Sequence, residues 1–443
     1  MEEYSEGKEA SQAVNRQLVE FVRPLLEELD VRLDKRLVRT FLGLLQVILV
    51  LRHNRYGLLL SELGGYLLGV AHAPAGTKRI SNLLRSQRWQ HEVVGDYLWR
   101  QAERRIHTLR AVGATALVIW DESVIEKPES MAAEGLCAVR SAKAHRLSRI
   151  KPGFYNPPTG KPTFVPGYNW LMVMVTGMAG SPTLAAMRFW SRRGEQATER
   201  KTVTLTLLQQ VVQGWGSELL HLFDRGYASG PWLASFFQLQ IRFIVRWRNS
   251  YHLQDAKGRR APGEMCRGKR SLEHRQLWDA RRRCYRKVGI LYFAVRHPQH
   301  PHQPLWLVVA RPHQRVAWHF LTNQPVTSTE EAWQVLYAYA RRWQIETAFR
   351  FFKSELALES PRLWSWHNRL KLFAIVALVY AFLLSLLAPA ADALRTFLLK
   401  RFCPRTGKRH RLATMPLYRL RSAIARLFLT HPSSPTPLWL NSG

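Results

Sequence analysis

The sequence predicts a mixed α/β fold, led by a helical region and split by a basic, strand-rich insertion. Three observations carry that expectation. Residues 1–110 repeat apolar side chains every three to four positions, as in LVEFVRPLLEELDVRLDKRLVRTFLGLLQVILVL, the period of one buried helix face. From residue 114 the chain turns to short apolar runs of strand length: ALVIW (116–120), NWLMVMVTGM (169–178), TLAAMRFW (183–190), ELLHLF (218–223) and RFIVRW (242–247). Helical patterns fall between the last three, in TERKTVTLTLLQQVV and YASGPWLASFFQL, and strands followed by helices in this way build a mixed sheet.

Within the helical region, Gly64-Gly65 and AHAPAGTKR (71–79) interrupt the period. The run ISNLLRSQRWQ comes next, with Arg79, Arg85 and Arg88 around its apolar positions. It is either a helix laid on DNA, as in a helix-turn-helix, or an amphipathic helix with a solvated basic face. Residues 249–305 hold KGRR, RGKR and RRR runs between the strand-like LYFAV and PLWLVVA. His297, His300 and His302 lie in RHPQHPHQP, whose three prolines mark a turn rather than a metal site. Ser328 and Glu331 fit a capping box that opens a helix over 329–358. Leu372–Ala391 is apolar apart from Ser385 and long enough to cross a bilayer; as a single such stretch in a basic chain it reads as a helix buried on all sides. The end, HPSSPTPLWLNSG, is rich in Pro and Ser and reads as loose.

The chain has 443 residues, 47% of them apolar. That is enough for a sizeable core and excludes a wholly disordered chain; at about 150 residues per domain it allows roughly three units. Lys and Arg number 65 against 32 Asp and Glu, a formal net charge of +33. A compact body with that imbalance repels itself unless it meets a polyanion, and nucleic acid is the leading partner. An anionic membrane surface and a merely solubilising basic surface are the competing readings. Cys137, Cys266, Cys284 and Cys403 form no CxxC pair and suit a reducing compartment. Zinc on Cys266, His274 and Cys284 lacks ligand spacing. The N-terminus, MEEYSEGKEASQ, is acidic and polar, unlike a secretory signal.

Phosphodiester chemistry commonly uses two divalent metals about 3.5–4 Å apart, and hard cations want carboxylate oxygens. Asp121 follows ALVIW and Asp224 follows ELLHLF, so each sits where a strand should end, a usual place for sites in α/β sheets. Either aspartate alone is equally a cap or a turn residue. In YAYARRWQIETAFRFFK, Tyr339, Arg342, Glu346 and Lys353 fall within about 60° of one another at about 100° per residue. Arg350 lies beside the same stripe. Such a stripe is either a site face or a surface row in which Glu346 pairs Arg342 and Arg350.

The spacing Y-x2-R-x3-E-x6-K, met at Tyr339, Arg342, Glu346 and Lys353, resembles the signature of a large group of DDE transposases from bacterial insertion sequences. FDRGY (223–227) resembles the segment carrying that group's second aspartate, which falls on Asp224. WDESV (120–124) resembles the first-aspartate segment, which falls on Asp121, with Glu122 and Ser123 where the group often has Asp and Thr. The resemblance covers roughly residues 115–390. It implies an RNase H-like core with catalytic and metal-binding Asp121, Asp224 and Glu346, taking two Mg²⁺ or Mn²⁺ ions. It also implies a β-rich module inserted before the last acid that holds DNA ends, and an apolar helix after Glu346 packed on the sheet.

The expected layout is then a helical, DNA-end-binding region over 1–110, a first core part over 111–248, the basic insertion over 249–320, a second core part over 321–395 and a basic tail over 396–443. Phosphate or DNA contacts are expected from Tyr339, Arg342, Lys353 and Arg350, and from the basic loop residues Arg140, Lys143, Arg146, Arg149 and Lys151. Trp278 in HRQLWDARRR is the candidate for stacking on a base, whereas Trp247 suits a small β core. The expected function is metal-dependent cleavage at the ends of an insertion sequence, followed by strand transfer into target DNA. An RNase H-like nuclease or resolvase without strand transfer is the alternative. The expected partner is double-stranded DNA, bound by a homodimer assembled on it, in the bacterial cytoplasm at the nucleoid and without a membrane.

Overall fold

The computed structural model describes residues 2–51, 57–127, 130, 132–141, 143, 163–279, 284–403 and 415–433. Its centre is one large mixed sheet. The runs Leu117–Glu126 (β1), Phe164–Thr176 (β3) and Thr183–Trp190 (β4) form an antiparallel meander. Leu220–Phe223 (β5) joins β1 in parallel, and Arg242–Trp247 (β6) joins β5 in parallel. Three antiparallel strands followed by two parallel ones, with β1 at the centre, give the RNase H-like order. β1 and β3 come close at Gly167, where a Cβ would fall 2.3 Å from the Ile125 carbonyl.

Alternation along β1 divides the core in two. Leu117 and Ile119 face a cluster that includes the N-terminal helices, Trp343–Ser354 and Trp366–Ser385. Val118 and Trp120 face another, built with Leu207, Leu208 and Val211 of the helix Arg200–Trp215 and with Leu233 and Phe236 of Gly230–Gln238. Strands buried on both faces read as unbroken apolar runs, which is why these five were visible in the sequence. β1 nevertheless runs on past Trp120 to Glu126, paired with β3 throughout. Asp121 therefore lies mid-strand, not beyond a strand end as its sequence suggested. The short Cys137–Arg140 (β2) was not anticipated.

The basic segment does not form a separate sheet. Trp318–Thr322 (β12) pairs antiparallel with β6, at His319↔Trp247, and with His300–Pro312 (β11). Cys284–His297 (β10), Glu273–Asp279 (β9) and the small strands Leu253–Asp255 (β7) and Gly258–Arg260 (β8) continue outward from there. The insertion thus prolongs the core sheet. His297 and His300 sit at the β10–β11 turn, where His297 Nδ1 accepts from the Gln299 amide at 3.2 Å. No group of three His, Cys, Asp or Glu side chains able to hold a metal is present among the described residues.

Trp366–Ser385 is long and apolar enough to cross a membrane, yet 83% of its apolar window is buried inside the fold. Arg369 and Lys371 are buried with it, and Lys371 Nζ donates to the Leu84 and Ser86 carbonyls at 3.2 and 2.7 Å. The helix stops at Ser385, short of the expected Ala391, before a 3-10 turn at Pro389–Ala391. In the helical region, Leu60–Leu68 and Ala73–Arg85 cross at Gly64 and Gly76, where a Cβ on Gly76 would meet the Gly64 carbonyl at 2.2 Å. The second of these helices buries Ile80, Leu83 and Leu84 and exposes Lys78, Arg79 and Arg85.

Two expectations are corrected. The tail 396–443 contains a docked helix, Leu417–Thr430, whose Leu420, Ile424 and Leu427 are buried. Arg421 is buried too, donating to the carbonyls of Ile48 at 2.7 Å, Leu51 at 2.5 Å and Glu355, so this basic helix is held by carbonyls rather than solvated. The stretches 404–414 and 434–443 lie outside the described residues. The single helix expected over 329–358 is two, Thr329–Ala340 and Trp343–Ser354. Between them the Arg341 and Arg342 amides donate to Ala338 and Tyr339 carbonyls, three residues back. Arg341 anchors the break, donating to the Thr176 hydroxyl and the Gly177 carbonyl, each at 3.1 Å, and to the Gly180 carbonyl.

Candidate active site

The β1–β5 register places Ile119 beside Leu222; two residues on, Asp121 is level with Asp224. Both then point to the face shared by Leu117, Ile119 and Leu222, because strand side chains alternate. Asp224 follows β5 and caps the 3-10 turn Arg225–Tyr227, its Oδ1 accepting from the Gly226 amide at 2.6 Å. On the same face, Glu346 stands in the first turn of Trp343–Ser354, with Arg342 at that helix's N-cap position.

Arg342 joins two of the three acids. Its Nη1 donates to Asp121 Oδ2 at 2.6 Å, and its Nη2 donates to Glu346. The Asp121 carboxyl is pushed up to about 7, first by burial; Arg342 opposes that rise, while Asp224 and Glu346 add to it. Asp121 therefore feels the charge of both other acids. Tyr339 is buried behind Arg342, whose guanidinium lies 5.6 Å from the phenol ring centre, and burial raises that phenol to about 12.

The donor set suits a hard divalent cation: carboxylates alone, from three elements, with no thiol or imidazole among them. As they stand the three are not drawn to one point, since no metal-holding group of three occurs among the described residues. The Arg342 guanidinium fills the place between Asp121 and Glu346. The residues fit a metal in kind, with Arg342 standing where the positive charge is needed.

The other expected residues divide. Lys353 does not join this pocket. It lies 3.8 Å from Glu359, which also pairs Lys143 at 2.6 Å and receives a bond from the Glu126 amide. That cluster sits at the far end of β1, five residues or about 16 Å from Asp121. The helical stripe thus brings Arg342 and Glu346 together, while Lys353 two turns on meets a different acid. Arg350 and Arg140 are exposed. Arg146, Arg149 and Lys151 lie outside the described residues. Trp278 is 55% exposed and packs edge-on against the exposed Tyr285 across β9–β10. Trp247 is buried and donates to the Tyr251 carbonyl at 2.9 Å.

Sequence reasoning missed a cavity of about 1020 Å³ that opens beside Asp224. Arg225, Arg246, Arg248 and Arg311 line it together with Trp247 and His319. The signal was present in RFIVRWR, where Arg246 is level with Asp224 and Arg248 lies just past the strand, but alternation alone could not show that β12 and the insertion wall the same space.

With this geometry in place, the comparisons decide the class. Residues 190–382 match the family model described as "Transposase DDE domain", a stretch that holds Asp224 and Glu346 and begins after Asp121. Over those residues the chain is similar to a transposase DDE domain. DNA transposase function comes with that domain, and so does dependence on a divalent metal in general. No curated protein matches the chain. Among solved structures, a piggyBac transposase synaptic complex with hairpin DNA is 12% identical, with a TM-score of 0.43 over 97% of this chain and 84% of that one. A likeness that slight decides nothing about this transposase's fold or site.

Proposed function

We propose that this transposase is of bacterial insertion-sequence origin and cuts DNA at the ends of its element and joins them to target DNA, using Asp121, Asp224 and Glu346 to hold two Mg²⁺ or Mn²⁺ ions. The observation that carries the reading is the placement of Asp121 and Asp224 level on one sheet face, opposite Glu346, inside a chain with a DDE domain. Bound cations would activate the attacking oxygen and stabilise the leaving one. The chain's own part is to keep the acids apart from bulk solvent and to hold Asp121 and Glu346 by Arg342 until then.

The cavity beside Asp224 would take the phosphates nearest the cut, with Arg225 and Arg248 as its cations. Residues 1–110 supply a DNA-end-binding region, supported by the basic face of Ala73–Arg85. The insertion over 249–320 presents Trp278 and Tyr285 to DNA between core parts at 111–248 and 321–395, and 396–443 adds basic surface. Arg140, Lys143, Arg146, Arg149, Lys151, Arg350, Lys353 and Tyr339 are further contacts to test, Lys353 and Lys143 only if DNA displaces Glu359. The net charge of +33 supports DNA as partner, a homodimer assembled on it, and a place in the cytoplasm at the nucleoid. The test is an in vitro assay with the DNA flanking the coding region. Cleavage at its ends and joined products in the presence of Mg²⁺ support the reading; cleavage without joining would make the protein a nuclease instead.

A further inference from the structure

Glu122 follows Asp121 on β1, so the two side chains stand on opposite faces of the sheet. Glu122 is fully engaged on its own side. Arg200 Nε lies 2.7 Å from each of its carboxylate oxygens, and Tyr227 Oη donates to Oε1 at 2.6 Å. The same guanidinium lies 4.7 Å from the Tyr227 ring centre and 5.7 Å from that of Trp232. Its Nη1 donates to the Gly226 carbonyl at 3.2 Å. Gly226 is also the residue whose amide donates to Asp224 Oδ1 at 2.6 Å. A Cβ at Gly226 would fall 2.8 Å from Asp224 Oδ1 and 3.0 Å from Arg200 Nη2, so the turn has no slack there.

A connected path thus runs under the sheet from the neighbour of one site aspartate to the turn that orients the other. An ion pair kept only for stability has no need to reach the Gly226 carbonyl. We propose that Glu122 and Arg200, with Tyr227, are positioning residues that hold the Asp224 turn against β1 and so set how Asp121 and Asp224 stand to each other. Glu122 is accordingly no metal ligand, although it is the acid next to Asp121: both its oxygens are committed on the far face. This inference rests on the transposase reading of the Asp121–Asp224–Glu346 site. Residues that orient metal ligands typically contribute roughly 10- to 100-fold in metal affinity.

The test uses the full chain with Mn²⁺ and, separately, Fe²⁺ as the probes, with no DNA required. Mn²⁺ affinity is measured by calorimetry, and the metal's place is read by Fe²⁺-driven hydroxyl-radical cutting of the polypeptide. The unaltered chain should be cut near both residue 121 and residue 224. Glu122→Gln and Arg200→Met should weaken Mn²⁺ binding roughly 10- to 100-fold and lose the cut near 224 while keeping the one near 121. Arg200→Lys should recover part of the affinity. Tyr227→Phe, which removes one hydroxyl and is the safeguard if a charge change unfolds the chain, should give a smaller loss in the same direction. Variants that bind Mn²⁺ like the unaltered chain, or lose both cuts together as general unfolding would, overturn the proposal. An unaltered chain that binds no Mn²⁺ and shows neither cut would instead overturn the metal-site reading beneath it.

Discussion

The Arg342 guanidinium donates to the Asp121 carboxylate at 2.6 Å, tying the middle of the central strand to the helix that carries Glu346. Both side chains are largely buried, 11% and 15% exposed. On the proposed metal-site reading Asp121 and Glu346 would share a cation; without it the two acids repel each other, and Arg342 offsets that repulsion. Arg342→Ala should therefore destabilise the metal-free protein by about 1.5–3 kcal/mol, the range for a hydrogen bond to a charged group. It should also enlarge the rise in melting temperature on adding Mn²⁺, because the metal no longer competes with a guanidinium. Thermal melts with and without Mn²⁺ check both. A lower salt slope for DNA binding with an unchanged metal response would make Arg342 a phosphate contact instead.

Asp121, Asp224 and Glu346 are expected to be separable from DNA binding. Asp121→Ala, Asp224→Asn and Glu346→Gln would each remove a carboxylate of the proposed metal site without touching the basic surfaces. Each should abolish Mg²⁺-dependent cleavage and leave the affinity for duplex DNA nearly unchanged in a gel-shift assay. Cleavage that survives any one substitution removes that residue from the metal site.

The cavity arginines should not behave alike. Arg311 is already committed, donating to the Lys269 and Cys266 carbonyls at 2.6 and 2.7 Å, whereas Arg225 and Arg248 are exposed at its rim. Arg225→Ala and Arg248→Ala should each weaken DNA binding across sequences and lower the salt slope by about one. Arg311→Ala should lower the melting temperature instead. Equal salt slopes in all three variants and the unaltered chain would remove the cavity from the DNA path.

The sequence showed what local patterns encode. Leu117–Trp120, Leu171–Val175 and Phe243–Val245 are buried on both sheet faces, and their apolar runs gave the core order directly. Helical spacing also foretold that Arg342 would meet Glu346, since one turn separates them. It failed for Lys353, because its partner Glu359 is brought in by the chain beyond the helix, and for the break at Arg341, because that depends on carbonyls from a different strand turn. The path from Glu122 through Arg200 to Gly226 joins three distant segments and leaves no periodic trace. The helix Leu417–Thr430 was not read from the basic tail over 396–443, and its Arg421 is bound by carbonyls inside the fold.

Trp278 and Tyr285 form an exposed aromatic pair, ring centres 5.2 Å apart, on paired strands of the insertion. Exposed aromatic faces beside basic residues suit stacking on an unpaired base, which is worth about 1–3 kcal/mol per base. Trp278→Ala should lower the melting temperature only modestly, since the side chain is more than half exposed, and should impair processing of frayed or mismatched DNA ends more than binding of intact duplex. Equal activity on both kinds of end would remove the stacking role.

Acid should weaken this protein through histidines that the fold keeps neutral. His221 is fully buried on β5, where its Nδ1 accepts from Trp120 Nε1 at 3.0 Å, and burial lowers its pKa to about 3 from 6.5. Burial likewise lowers His297 and His319 to about 4, with nearby positive groups adding to it. For each, the unfolded chain takes up a proton at a pH where the folded chain refuses it. The stability these histidines contribute is therefore full above about 6.5 and is lost as the pH falls from there toward 4, by about 1.4 kcal/mol per pH unit for each proton, while Asp121, raised to about 7, works in the opposite direction. His221→Asn keeps an acceptor for the Trp120 indole but removes the titrating ring. It should cost stability at pH 7, because the smaller side chain leaves a cavity, and yet shallow the decline between pH 6.5 and 4 relative to the unaltered chain. Urea midpoints measured across that interval check the slope. The His297 and His319 contributions should persist, so the decline flattens without vanishing; an unchanged slope would mean that His221 does not control the acid limb.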